Sequence, residues 1–502
     1  VVSGWVAFGA GPTAKVEAWL DETPLGRARL GLPRPDVAPG APGPDAAIRG
    51  FELRAAIEQA GAEREAQLRV VAESTAGERR EFEPIAVRVG DGSGAPAPAP
   101  PTRPSRTAPG ADGRRVLAFT NVLSLGGASI YFFELLRRAK QLGRLQPTVV
   151  TAIDGPLRAE LEAEGVPVHL LGPLALEDAE AYGDRVEELA AWASQGDFEL
   201  VFVNTATGLT LPGADVAAQL QIPAVWAIHE SFPMALLWEG LAQPLRERAE
   251  EALRRAALAI FEAEATRQLY LGSIAPERSV AEPYGIDLAP IEASRGGFDR
   301  DRARREAGLS EDAELVICVG TVEPRKAQVP LLQAFELVAE RHPRARLAYV
   351  GATEAAGSIA LEERTAVSPY RDRVTIVPQV RDVGPWYGMA DLLVCASDIE
   401  SLPRVVLEAM AWGTPVLATA VFGLAELIDH GQNGWLCEPG DVAALAAGLG
   451  TALDTSAPHR RQIGAVARQV VLERHELDSY TRKVADLFDR VADGESVRLE
   501  SP

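Results

Sequence analysis

Between Arg115 and Thr419 the chain repeats one local pattern: a short apolar run, a loop carrying glycine or polar residues, and an amphipathic helical stretch. VLAFT, TVVTAI, VHLLG, LVFVNTA and PAVWAIHES supply the runs of a first series, and LVICVG, LAYVG, VTIVPQ, LLVCAS and PVLAT those of a second. Apolar runs of this length suit strands buried on both faces, and strands that alternate with helices are joined by crossovers. The pattern therefore predicts an α/β fold with two Rossmann-like domains, each a parallel sheet covered by helices. Such sheets bind ligands beyond the carboxyl ends of their strands, and paired domains bind them in the cleft between. The expected domains run 114–290 and 291–475, followed by a C-terminal helix and tail over 476–502.

Residues 1–90 read differently. Short alternating runs (GWVAF, KVEAWL, QLRVVAES, IAVRV) separated by Gly and Pro clusters predict a small β-sandwich accessory domain. Trp5, Trp19 and Phe51 are expected to be core aromatics rather than a sugar-binding surface. The Pro/Ala/Gly-rich stretch 91–113 is a linker. A formal charge of −21 excludes a general nucleic-acid binder, which needs Lys and Arg in excess. Arg246, Arg248, Arg254 and Arg255 alternate with glutamates on a predicted helix from Pro244 to Ala259; a solvated face is the first reading and peripheral membrane contact the second. Cys318, Cys395 and Cys437 are odd in number and lack metal spacing, and the first two read as reduced core residues. No apolar run approaches the ~18 residues of a membrane span, so the expected location is cytoplasmic, with the inner face of a membrane as the alternative.

The chemistry concentrates in ASDIESLPRVVLEAMAWGTPVLAT, Ala396 to Thr419, which reads as strand, helix and strand. Ser401 is the expected N-cap, with Pro403 in the first turn and Gly413 closing the helix. On a helix starting at Leu402, Glu400 and Glu408 share a face roughly 12 Å apart. A glycosidase pair flanks one bond at about 5 to 10 Å. The wider spacing suits two ends of a long ligand whose anionic middle lies on the helix N-terminus, the shape of a nucleotide sugar. Gly126-Gly127 precedes a helix and would admit a phosphate or sugar hydroxyl to the backbone, although a tight turn also selects glycine. His229 and Glu230 stand at a strand end, where ligands bind. The D-x-D pair Asp299 and Asp301 lies in a surface-like charge run and is not read as a metal site.

VGTVEPRKAQ at Val319 to Gln328, ESLPRVVLEAMAWGTPVLAT and VFGLAELIDHGQNGWLCEPGD, together with LGGAS, AIHES and PYGID in the first half, resemble glycosyltransferase family 4. The N-terminal segment resembles the immunoglobulin-like modules attached to some bacterial members. The resemblance implies a GT-B fold and retaining, metal-independent transfer of a sugar from a UDP- or GDP-sugar to a hydroxyl acceptor in bacterial glycan biosynthesis. No cofactor is implied, and the acceptor is left open among a saccharide, a lipid-linked sugar, a protein and a small metabolite. It assigns Glu408 to the donor ribose and Glu400 to the transferred sugar. Lys326 meets the diphosphate, and His229 the sugar or its developing charge. Gly126, Gly127, Gly320, Thr321, Val380, Ser401, Leu402 and Pro403 complete the donor site. Two departures stand out: Thr321 replaces the Arg of many members, which leaves Arg325 as a substitute, and Leu402-Pro403 replaces an aromatic-glycine pair, so contacts there are expected from the backbone. The alternatives are a non-catalytic nucleotide-sugar-binding or scaffolding protein, and a Rossmann oxidoreductase or epimerase, which SLGGAS disfavours because it lacks G-x-G-x-x-G.

Overall fold

Both β/α series fold into parallel sheets. The computed structural model describes residues 113–495 except 233, 239 and 354, and before them residues 2–5, 13–20, 23–27, 29–33, 49–53, 64–74, 79–81 and 85–89. It divides into two units, 1–96 and 97–502.

In the larger unit the first sheet has the spatial order Val168–Leu170, Leu145–Ile153, Arg114–Val122, Leu200–Asn204, Ala224–Ile228, Leu258–Phe261, Ser279–Ala281, with every neighbouring pair parallel. The second runs Val374–Pro378, Ala345–Ala352, Glu314–Val319, Leu392–Cys395, Val416–Thr419, Trp435–Cys437, also all parallel. The central strands are buried throughout, Leu200 to Asn204 and Leu392 to Cys395 among them, as their unbroken apolar runs require. In both sheets the order reverses beside the first strand of the series, between Arg114–Val122 and Leu200–Asn204 and between Glu314–Val319 and Leu392–Cys395. That reversal opens the crevice in which such sheets hold ligands.

The chain crosses between the halves twice at one place. The Ile286 amide donates to the His475 carbonyl (2.9 Å) and the Leu477 amide to the Ile286 carbonyl (3.2 Å). A side chain at Gly285 would stand 2.5 Å from the Glu476 carbonyl oxygen, so only glycine lets the two segments pass. The helix Leu477–Ala492 then returns to the first sheet. Phe488 packs on Phe202 with ring centroids 5.2 Å apart, the Tyr480 and Tyr131 hydroxyls are 2.8 Å apart, and buried Arg114 is paired with Asp489 and Asp493.

In the smaller unit the strands are antiparallel. One sheet has the order Val2–Trp5, Arg49–Leu53, Arg29–Pro33; the other has Thr23–Arg27, Thr13–Leu20, Arg64–Ser74, Arg79–Glu81, with Ile85–Val89 also pairing with Arg64–Ser74. Ala18, Val70, Val71 and Ala72 are buried. Trp19 is half-buried under the Arg69 guanidinium, 4.6 Å from its ring centroid. The side chains of Trp5 and Phe51, and the linker up to residue 112, lie outside the described residues.

Candidate active site

A cleft of about 570 Å³ is lined from both halves of the larger unit. Gly126, Gly127 and His229 line it from the first half, and Gly320, Thr321, Arg325, Lys326, Val380, Glu400, Ser401, Leu402, Pro403 and Glu408 from the second. Every residue assigned to catalysis or to the donor from the sequence therefore borders one cavity.

On the second-half wall, Arg325 and Lys326 occupy a 3-10 turn, Pro324–Lys326, that ends at Ala327 with φ +52°. Arg325 Nη1 lies 3.1 Å and Lys326 Nζ 3.7 Å from Glu400 Oε1, while Arg325 Nε reaches Glu323 Oε2 at 2.9 Å. Burial works against the Arg325 charge, but Glu400 and Glu323 outweigh it and raise its pKa. Gly320 has φ +131°, and a side chain there would stand 2.9 Å from Lys326 Nζ; glycine gives the ammonium its place against the strand end. The Thr321 carbonyl accepts from Gln328 Nε2 at 3.0 Å, which fastens the turn.

The helix after the second-half switch point departs from expectation. It spans Arg404–Trp412, with Pro403 at the cap position (φ −72°, ψ 124°) and no side-chain capping bond. Proline disfavours helical geometry at the residue before it, so Leu402 cannot open the helix and Ser401 cannot cap it. Ser401 Oγ instead lies 3.2 Å from Thr266 Oγ1 in the first half, and its carbonyl accepts from the Gly423 amide at 2.8 Å. The roughly 12 Å separation of Glu400 and Glu408 assumed helical rise across residues that are not helical, and so lapses. Gly413 does close the helix, with φ +80°.

Each Glu408 oxygen has one partner within the protein, which leaves the carboxylate further accepting capacity. Tyr387 Oη donates to its Oε2 at 2.9 Å and Arg404 Nε to its Oε1 at 2.7 Å. The other edge of Arg404 forks onto Glu134 of the first half, at 2.7 and 2.9 Å. Sequence reasoning missed Arg404, Tyr387 and Glu134. A signal existed for the first: Arg404 opens the otherwise apolar stretch VVLEAMAW.

On the first-half wall, His229 follows the strand Ala224–Ile228, between the strands that end at Asn204 and Phe261. Its Nδ1 is 2.5 Å from Glu262 Oε1 and its Nε2 is 2.8 Å from Asn204 Oδ1. Asn204 Nδ2 donates to Thr120 Oγ1 (3.2 Å) and to the Ala128 carbonyl (3.1 Å). A carbonyl only accepts, so the amide orientation is fixed and Oδ1 faces the histidine. Nε2 thus faces an acceptor and Nδ1 faces the Glu262 carboxyl, an arrangement that favours the doubly protonated ring. Burial opposes that charge, but the Glu262 and Glu230 carboxylates outweigh it and raise the pKa above the ordinary histidine value. Burial likewise raises the Glu230 pKa, against the His229 charge and the Ala206 and His229 amides that donate to its carboxylate at 3.0 and 3.1 Å. Glu262 and Asn204 were also missed, although both stand at strand ends in LAIFE and LVFVN.

The helix Gly127–Gln141 opens on the same cleft with Gly126 at its cap and no side-chain capping bond. Gly126 has φ −80°, Gly127 is not among the positive-φ residues, and a side chain on Gly127 would meet nothing within 4 Å. The fold itself does not demand glycine at 127.

Away from the cleft, Asp299 caps the helix Arg300–Glu306 by accepting from the Arg302 amide at 2.9 Å. No His/Cys/Asp/Glu cluster among the described residues could hold a metal ion. The three cysteines are free thiols; burial pushes Cys395 up to about 11 and Cys318 to about 12. Arg248 pairs with buried Asp215 at 2.9 Å, and Arg254 with Glu251 at 3.2 Å. Among the described residues no helix is long and apolar enough to cross a membrane.

Two Rossmann-like halves, with two uncapped helix N-termini and a cationic turn on a shared cleft, define a GT-B architecture. Residues 125–290 match the family described as Glycosyltransferase Family 4 and residues 299–470 that described as Glycosyl transferases group 1. A D-inositol 3-phosphate glycosyltransferase of Frankia alni is 31% identical over 377 residues, 68% of this chain and 90% of that one. Another, of Catenulispora acidiphila, is 38% identical over 200 residues, 35% of this chain and 45% of the relative, so the chain spans about half the length of that protein. The Anabaena protein HepE, solved with UDP-glucose, superposes with a TM-score of 0.64 at 21% identity, over 74% of this chain and 99% of that one, a likeness of fold. The chain belongs to the family 4 glycosyltransferases.

Proposed function

We propose that the protein transfers a sugar from a nucleotide diphosphate sugar to a hydroxyl acceptor, with the anomeric configuration retained and without a required metal ion. The observation that carries this reading is the convergence of two helix N-termini without side-chain caps, Gly127–Gln141 and Arg404–Trp412, and of Arg325 and Lys326 on one cleft. Helix N-termini present free amides and partial positive charge, and Gly127 leaves its own backbone open. An anion suits that convergence, and Glu400 and Glu408 supply hydroxyl acceptors beside it.

In this reading Glu408 accepts the ribose hydroxyls on lone pairs that Tyr387 and Arg404 leave free, and Glu400 accepts from the transferred sugar. The bond between the anomeric carbon and the diphosphate oxygen breaks, and its electron pair leaves with the diphosphate. Lys326, Arg325 and the helix amides take up the developing charge. The acceptor oxygen bonds on the same face through an oxocarbenium-like state, and its proton passes to the departing diphosphate. With its two ring nitrogens engaged by Glu262 and Asn204, His229 is not the general base in this reading; in its protonated form it contributes positive charge to the wall. Backbone groups near Val380 face the base. HepE makes UDP-glucose the first donor to try, and the names of the curated relatives make a polyol phosphate the first acceptor, ahead of saccharide, lipid-linked and protein acceptors.

One observation favours a non-catalytic nucleotide-sugar binder: Arg325 and Lys326 are both already paired with Glu400. Calorimetry and nucleoside diphosphate release with a panel of UDP- and GDP-sugars decide between the readings. Binding with release supports transfer, binding without release the alternative, and no binding by any donor removes both. We read residues 1–90 as an immunoglobulin-like β-sandwich; proteolysis confined to 91–112 with both sides left intact is the expected result, and cutting throughout 1–90 would contradict it.

A further inference from the structure

The loop that carries Glu400 and leads into the helix Arg404–Trp412 belongs to the second half, yet three of its residues are held by the first. Ser401 Oγ meets Thr266 Oγ1, and Tyr284 Oη donates to the Leu402 carbonyl at 3.2 Å. The third contact is charged: Arg404 forks onto Glu134 with side chains only 13% and 11% exposed. A guanidinium has donors on two edges, and here each edge takes a different carboxylate, Glu408 on one and Glu134 on the other.

We propose that Arg404 is a positioning residue that makes nucleotide binding in the second half depend on Glu134 of the first. This rests on the reading of Glu408 as the ribose acceptor. Arg404 Nε fixes the Glu408 rotamer, with Tyr387 on the opposite oxygen, and Glu134 fixes Arg404 in turn. A buried ion pair contributes little net stability over an apolar substitute, whereas breaking one leaves a buried charge uncompensated. The consequence of the arrangement is therefore orientation. Glu134 does not line the cleft, so any effect it has on a nucleotide passes through Arg404.

The test titrates UDP and GDP calorimetrically into the wild type, Glu134→Gln, Arg404→Lys and the Glu134→Gln/Arg404→Lys double variant. Amide exchange of residues 401–406 is followed in the same proteins. Glu134→Gln keeps shape and polarity, and Arg404→Lys keeps charge but loses the fork. Each single variant is expected to bind roughly tenfold more weakly, the double variant no worse than the poorer single, and exchange to quicken at 401–406 alone. Dissociation constants in Glu134→Gln within about twofold of wild type, with only the melting temperature lowered, overturn the proposal and leave Glu134 a packing residue. A wild type that binds neither nucleotide overturns the donor reading itself, and this inference with it.

Discussion

The two walls of the cleft come from the same device, the carboxyl ends of parallel strands at a switch point, but they differ in their charged residues. Every Arg and Lys that lines the cavity, Arg325, Lys326, Arg381 and Arg404, comes from the second half. The first half contributes Glu230 and Glu262, with the His229 ring on Glu262 and its backbone amide on Glu230. One architecture thus places every Arg and Lys of the cavity on one wall, beside Glu400 and Glu408, and only His229 with two carboxylates on the other, and the difference lies in the loops rather than the sheets.

The largest expected effect breaks the cationic wall. Lys326→Ala should lower kcat by about 10²–10³, as loss of a fixed donor at a developing anion does, and leave the acceptor KM unchanged. Steady-state kinetics with acceptor varied at saturating donor checks the split. A rise in the acceptor KM of comparable size would dissolve the distinction between the walls. Next, Glu408→Ala should weaken UDP binding by roughly 10- to 100-fold, the worth of hydrogen bonds to a charged group, read by calorimetry.

On the other wall the sharpening measurement is a pH series. The folded pKa of His229 is raised, so its stabilising contribution is fully present below about pH 6.5, the unfolded value, and is lost as pH rises through the folded value. Urea midpoints should fall across that window in the wild type, and His229→Gln should lack that component. A wild-type midpoint that rises there would mean the imidazole is buried neutral.

The smallest effect compares backbone strain. Thr205 at the Asn204 strand end has φ +73° and Ala327 after Lys326 has φ +52°. Both are left-handed, but the β-branched residue is the worse fit, and the Thr205 hydroxyl is buried without a partner among the described residues. Thr205→Gly should stabilise by roughly 1 kcal/mol, while Ala327→Gly stays within about 0.5 kcal/mol, since glycine's chain entropy offsets the relief there.

What the sequence made legible follows from the range of the interactions. The apolar runs Leu392 to Cys395 and Leu200 to Asn204 announce buried parallel strands because burial on both faces is written into contiguous residues. Gly413 announces the helix end because a left-handed cap is a local demand. The start of the same helix was misplaced because Ser401 and Pro403 both signal an N-terminus, and the proline's restriction on Leu402 prevailed. The partners of the site residues were hidden for a different reason. Arg404 and Glu134 are 270 residues apart, and His229 meets Asn204 and Glu262 only because strand order makes neighbours of three separated strand ends. Such contacts require the sheet topology as well as the motif.

The central claim is that this cleft breaks a nucleotide sugar at the anomeric carbon and remakes that bond on the same face. Proton NMR of the product formed by the protein from the sugar nucleotide it turns over tests it directly. Nucleoside diphosphate release with the donor's anomeric configuration kept in the new glycoside is the predicted result, and an inverted product would contradict it.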